Sequence, residues 1–103
     1  MVKVSVLYAY KEGSSFNLDY YLKSHMPMVQ RKLGPACKQV SVEQGISGAQ
    51  PGTKPAFSVV AHMLFDSVEA FQTAFGPHSA EIMADIPNYT NEQPIVQISE
   101  VKM

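Results

Sequence analysis

Hydrophobic and polar side chains alternate along the first ten residues of the chain. One face of this segment carries Val2, Val4, Val6, Tyr8 and Tyr10. A period of two in β-branched and aromatic residues predicts a β-strand over 2–10. The turn-forming run KEGSS at 11–15 ends the pattern.

A helical period follows over residues 17–33. Apolar residues recur at helical spacing and predict one narrow core stripe, made of Leu18, Leu22, Met26, Val29 and Leu33. Asn17 is a suitable N-cap, and Gly34 followed by Pro35 predicts the end of the helix. Pro27 lies inside the helix, where it removes a backbone N–H and crowds the preceding turn, so we expect a kink there.

The rest of the chain contains three more strand patterns and a second helical region. We predict strands over 37–46, 56–65 and 95–102, and helical segments over 68–75 and 78–85. Val40, Val42 and Ile46 are expected to share one side of the second strand. The order β-α-β-β-α-β predicts an α+β, ferredoxin-like fold, in which both helices cover one face of an antiparallel sheet.

Both faces of the predicted sheet carry apolar residues. In the third strand, Phe57, Val59 and Met63 share one face, while Val60 and Leu64 share the other. Two helices on the same side cover only one of these faces. We therefore expect a homodimer in which two sheets close around a shared interior, a dimeric α/β-barrel.

Composition narrows the class of protein. The 103 residues fit a single domain over 1–103, and 46% hydrophobic with 17% charged residues excludes a disordered chain. A net charge of −1 without a Lys/Arg run argues against nucleic-acid binding. No apolar run approaches the roughly 18 residues of a membrane span, and no signal sequence opens the chain. We therefore expect a cytoplasmic protein that binds neither nucleic acid nor membrane.

Three segments carry a family resemblance. They are FNLDYYLKSHMPMV at 16–29, GPHSAEIMADIPNYT at 76–90 and QPIVQISEV at 93–101. Together they resemble the EthD family, first named for a protein needed for ethyl tert-butyl ether degradation. The resemblance extends over nearly the whole chain and implies a dimeric α/β-barrel of ferredoxin-like protomers. It also implies a link to an ether-oxidising monooxygenase system, while related domains act as cyclases, dehydratases or decarboxylases on aromatic polyketides.

Polyketide-cyclase relatives of this barrel combine a Tyr on the second helix with a downstream His. When the chain is aligned through 67–69, the Tyr position falls near Ala74 and the His position near His78. Alanine has no hydroxyl group. The resemblance therefore implies that another hydroxyl, that of Tyr21 or Tyr89, takes this role.

His25 is the first candidate for acid–base chemistry. It lies with Tyr21 and Met28 on the flank of the helical stripe, where it could face a cleft between helix and sheet. An imidazole that titrates near neutral pH suits proton transfer on a ketone or phenol. The alternative is a structural histidine bonded to the carbonyl of Lys23, which Pro27 leaves free.

His78 is the next catalytic candidate, because Glu81 and Asp85 follow it at helical spacing and could orient it as a base. Its alternative is a helix cap or an exposed turn residue. His62 and Ser58, on the mixed face of the third strand, are expected to orient a ligand if that face lines the pocket. The alternative for His62 is a dimer interface, where it would bond to its twin or to a serine.

Met28 and Tyr89 complete the predicted substrate-binding set, since methionine makes an adaptable apolar lining. No pair of histidines has metal-ligand spacing, and no Gly-rich loop is present to hold a nucleotide. We therefore expect neither a metal nor a cofactor.

Two functions remain open from the sequence, and we favour the first. One is a cofactor-independent acid–base enzyme of the cyclase, dehydratase, isomerase or decarboxylase type, or a small monooxygenase, acting on a small hydrophobic cyclic or aromatic compound. His25 would move a proton, and Tyr21 or His78 would stabilise an oxyanion. The other is a non-catalytic accessory or ligand-binding protein of an ether- or aromatic-degrading monooxygenase system.

Overall fold

The computed structural model describes all 103 residues and contains four strands and four short α-helices. The strands are β1 Val2–Ala9, β2 Gln39–Gln44, β3 Phe57–Phe65 and β4 Ile95–Glu100. The α-helices are α1 Leu18–Tyr20, α2 Met26–Leu33, α3 Val68–Phe75 and α4 Ser79–Ala84. The α+β, ferredoxin-like fold expected from the sequence is confirmed.

The strands form one antiparallel sheet in the order β2-β3-β1-β4. β1 lies in the middle, where Val6 stands opposite Ala61 of β3 and Val96 of β4. Val4, Tyr8, Val59, Ala61, Met63 and Phe65 are all buried on one face. The helices cover this face of the sheet. The alternation of side chains in the sequence allowed either face to be the covered one.

The first helix, residues 18–33, is not a regular α-helix. A π-helical turn, Tyr21–His25, joins α1 to α2 and ends two residues before Pro27. The wider turn rotates the buried face, so Tyr21 and His25 lie in the core while Leu22 is 47% exposed. The prediction that Leu22 belongs to the core stripe is therefore wrong.

Side-chain caps begin both helical regions. The Asn17 side chain accepts a hydrogen bond from the backbone N–H of Tyr20, and Ser67 accepts one from Ala70. Short 3₁₀ turns, each with a proline in second place, follow α2, α3 and α4 at Gly34–Ala36, Gly76–His78 and Ile86–Asn88. None of the helices is both long and apolar enough to cross a membrane.

The predicted strands are too long at their ends. β2 stops at Gln44, so Ile46 lies in the following loop and is 92% exposed, contrary to its predicted place on the strand. β1 likewise ends before Tyr10, and β4 ends before Val101. Glycine and proline after β2, in the run 45–55, favour the loop over continued pairing.

Candidate active site

The π-helical turn brings Tyr21 and His25 into the space between helix and sheet. Their side chains are buried, and their rings stack with centroids 5.3 Å apart and planes 16° from parallel. Phe16, just before the helix, packs edge-on against Tyr21 at 5.0 Å, as expected for a residue that fixes the entry of the chain. Isolated π turns occur often at functional sites, and here one presents two polar aromatic rings to the interior.

Asp85 holds the other side of the His25 ring. This residue caps the C-terminal end of α4, and its Oδ2 lies 2.8 Å from Nδ1 of His25. Its Oδ1 accepts hydrogen bonds from the hydroxyl of Tyr20 at 2.7 Å and from the amide of Asn88 at 2.8 Å. Burial alone would raise the pKa of Asp85, but the bonds from Asn88, Tyr20 and His25 outweigh it and lower that pKa. The carboxylate is therefore ionised at neutral pH.

The bond to Asp85 determines which ring nitrogen of His25 carries the proton. Burial lowers the pKa of His25 below its ordinary value of 6.5, against the opposing effect of Asp85, so the ring is neutral at pH 7. An ionised carboxylate only accepts hydrogen bonds, so the single ring proton lies on Nδ1. Nε2 then carries a lone pair, which is the form of histidine that acts as a base.

Two tyrosine hydroxyls continue the polar chain beyond Nε2. The hydroxyl of Tyr89 lies 3.5 Å from Nε2 of His25 and 2.6 Å from the hydroxyl of Tyr8. Burial raises the pKa of Tyr8, Tyr21 and Tyr89, so all three remain protonated hydrogen-bond donors. The hydroxyl of Tyr21 also interacts with that of Tyr8, and this hydrogen bond, with Tyr21 as the donor, adds to the rise in the pKa of Tyr21.

These groups line one end of an apolar cavity of about 360 Å³ between the sheet and the helices. Aliphatic, aromatic and methionine side chains form its walls, with Met26 and Val29 from α2, Ala61 from β3 and Ile82 from α4. No Lys, Arg, Asp or Glu lines it. The half-exposed side chains of Met83 and Val96 also belong to the lining and lie where the cavity meets the surface.

Three of the residues singled out from the sequence meet in this cavity, namely His25, Tyr21 and Tyr89. His78 does not line it, although Phe75 and Ile82 on either side of it in sequence do. Met28 also lies outside the lining and packs instead against the core around Val29 and Phe65.

His62 and Ser58 lie on the opposite face of the sheet from the cavity. Nδ1 of His62 is 2.8 Å from the hydroxyl of Ser5, and its Nε2 is 3.3 Å from a carboxylate oxygen of Glu43. Ser58 donates a hydrogen bond to the backbone carbonyl of Tyr8 at 3.2 Å. Because the covered face is the one without His62, the three histidines do not share one cavity.

The partners of His25 were not predicted from the sequence. Helical spacing connects Asp85 to His78, seven residues away, whereas the fold brings Asp85 to His25 across 60 residues of sequence. No spacing pattern in the sequence predicts a contact between residues so far apart. Tyr8 could have been predicted as a site residue, since the alternation of side chains places it on the same face of the strand as Val4 and Val6. No group of three or more His, Cys, Asp or Glu side chains is arranged to hold a metal ion.

Fold and site together define a ferredoxin-like α+β protein with an apolar cavity between its helices and its sheet. The family model of the EthD domain matches residues 15–93, most of the chain including His25, Asp85 and Tyr89. The chain belongs to the EthD family. No match to it is found among curated proteins.

Solved structures agree with this family. The chain is 46% identical to an EthD-like protein from Ralstonia eutropha JMP134, with a TM-score of 0.94 over 99% of this chain and 92% of that one. It is 23% identical to an ethyl tert-butyl ether degradation (EthD) family protein from Bacillus halodurans C-125, with a TM-score of 0.67 over 99% of both chains. A dimeric ferredoxin-like protein of unknown function from Thermobifida fusca YX, 12% identical, has the same fold, with a TM-score of 0.58 over 97% of this chain and 90% of that one.

Proposed function

We propose that the protein is a cofactor-independent enzyme that moves a proton on a small hydrophobic cyclic or aromatic compound bound in the cavity. The observation that carries this proposal is the Asp85–His25 pair, which leaves the lone pair of Nε2 at the polar end of an otherwise apolar cavity. Tyr20 and Asn88 hold the Asp85 carboxylate in place beside the ring. This arrangement suits a general base, because the carboxylate orients the ring and stabilises the imidazolium that forms.

The proposed reaction begins with the transfer of one proton. Nε2 of His25 takes a proton from the carbon next to a carbonyl group, and the electron pair of the C–H bond moves towards the carbonyl oxygen to give an enolate. The hydroxyl of Tyr21 turns from Tyr8 and donates a hydrogen bond to that oxygen. Return of the proton to another atom completes an isomerisation. In a dehydration the enolate expels a hydroxyl group from the neighbouring carbon, which takes the proton from Nε2 and leaves as water. In a cyclisation the enolate carbon attacks a second carbonyl carbon, and the oxygen of that carbonyl takes the proton.

Water exclusion strengthens both interactions. Apart from the tyrosine hydroxyls, the cavity walls around His25 and Tyr21 are apolar, and the two residues are themselves 4% and 1% exposed. In such surroundings a hydrogen bond to a developing negative charge is worth more than it is in water. The apolar walls also match a hydrophobic ring system, which they would desolvate on binding.

Exchange of α-protons for deuterium tests this function without knowledge of the natural substrate. 2-Tetralone, a bicyclic aromatic ketone, is incubated with the protein in D₂O, and loss of its α-proton signal is followed by NMR. We expect the protein to accelerate exchange over buffer, and His25→Gln to lower the acceleration by about 10²-fold or more. His62→Gln, on the other face of the sheet, is the matched control and should keep the wild-type rate.

The accessory role predicts a different outcome. Saturable binding of 2-tetralone, with an exchange rate no higher than in buffer, would contradict the enzyme. It would favour a protein that holds a hydrophobic metabolite for a monooxygenase system. An exchange rate that is the same in wild type and His25→Gln would contradict the role of His25 specifically.

We also propose that the chain acts as a homodimer through the uncovered face of its sheet. Leu7 stands between Val60 and Ile95 on that face, so an apolar stripe crosses three strands. Ile95 is 53% exposed, and no helix covers it. Ferredoxin-like proteins of the same fold that are described as dimers support this arrangement.

A further inference from the structure

The charge of the cavity limits what it can bind. No cationic side chain lines it, and the ionised Asp85 lies directly behind its polar end, where it contacts Nδ1 of the His25 ring. A carboxylate placed in this cavity would lose its hydration and gain no ion pair, while it would also be repelled by Asp85. A neutral molecule avoids both the desolvation of a charge and the repulsion by Asp85.

The hydrogen-bonding groups of the cavity further restrict the ligands that it can bind. Tyr8 and Tyr89 are paired with each other at 2.6 Å, and the hydroxyl of Tyr21, which also lines the cavity, hydrogen-bonds to Tyr8. A ligand oxygen that takes the place of Tyr8 would receive this donor. Nε2 of His25 is the basic acceptor. One donor beside one base suits a carbonyl oxygen with an acidic hydrogen on the adjacent carbon.

Volume sets the size of the ligand. At about 30 Å³ for each water-sized group, a cavity of about 360 Å³ holds on the order of a dozen non-hydrogen atoms. A one- or two-ring compound has this size. Larger polycyclic molecules would have to extend past Met83 and Val96 at the surface.

We propose that the ligand is a neutral one- or two-ring carbonyl compound and that the cavity rejects carboxylates. The choice of reaction rests on the proposed function, whereas the preference for neutral ligands does not. Within that function it selects isomerisation, dehydration or cyclisation of a neutral ketone. Decarboxylation of a β-keto acid is disfavoured, because a β-keto acid is an anion at neutral pH and this cavity has no cationic side chain to pair with it.

Acetophenone and benzoate, two flat aromatic compounds of similar size, test the inference by calorimetric titration at pH 7.5. We expect acetophenone to bind at least about tenfold more tightly than benzoate. Val96→Arg places a cation at the half-exposed edge of the cavity and should narrow or reverse this preference. Ile98→Arg, two residues along the same strand and outside the lining, is the matched control and should leave it unchanged.

The outcomes separate this inference from the proposed function. Benzoate binding as tightly as acetophenone in the wild type, or no binding of either compound, would overturn the inference. Tight, selective binding of acetophenone together with no exchange of 2-tetralone protons would leave the inference standing and overturn the enzymatic function instead.

Discussion

The direction of the His25 ring is set by its bond to Asp85. An ionised Asp85 can only accept, so it places the proton on Nδ1 and the lone pair on Nε2. Asparagine at the same position has an amide group that can donate to Nδ1, which would move the ring proton to Nε2. The base would then be blocked without any change in the shape of the cavity.

Asp85→Asn is therefore expected to lower the 2-tetralone exchange rate by at least about tenfold, because the ring adopts the unproductive tautomer. Binding of acetophenone should change by less than the rate does. Asp66→Asn, at an exposed aspartate whose side chain is 68% accessible, is the control. An Asp85→Asn protein with the wild-type rate would show that the carboxylate does not orient the base.

At the scale of elements, the π-helical turn explains both a successful and a failed prediction. Helical spacing predicted the helix and its Asn17 cap, and it placed Tyr21 and His25 only on the flank. The observed turn rotates them into the core and turns Leu22 outwards. A uniform helical period cannot predict this, because it assigns the same rotation to every residue.

The strand patterns were informative for a different reason. In β1 and β3, alternation identified the two faces, and the order of elements then predicted the fold. Alternation does not say which face the helices cover. That choice placed Tyr8 in the cavity and left His62 outside it, so alternation alone could not decide which strand residues belong to the site.

At the scale of the whole molecule, one face of the sheet is not covered by helices and is exposed to solvent in a monomer. Its stripe of Val60, Leu7 and Ile95 matches the apolar character of an interface between two copies. Its polar part, His62 with Ser5 and Glu43, is already paired within one chain. Closure of two such faces would give the dimeric α/β-barrel expected from the sequence.

Mass in solution tests this assembly. We expect light scattering at about 10 µM protein to give twice the 11.3 kDa of one chain. Leu7→Glu should yield the single-chain mass, because it would bury two carboxylates against each other. Leu22→Glu, at an exposed leucine on the outer surface of the helix, should remain dimeric. A wild-type protein at the single-chain mass would contradict the dimer.

The protonation of His25 is the most direct test of the account, since the proposed proton transfer depends on a neutral ring with an unprotonated Nε2. Nitrogen-15 NMR of the histidine side chains reports both the tautomer and the titration midpoint. We expect His25 to carry its proton on Nδ1 and to become protonated only below its ordinary pKa of 6.5, because burial disfavours the charged form. A proton on Nε2, or a ring already charged at pH 7, would contradict the account.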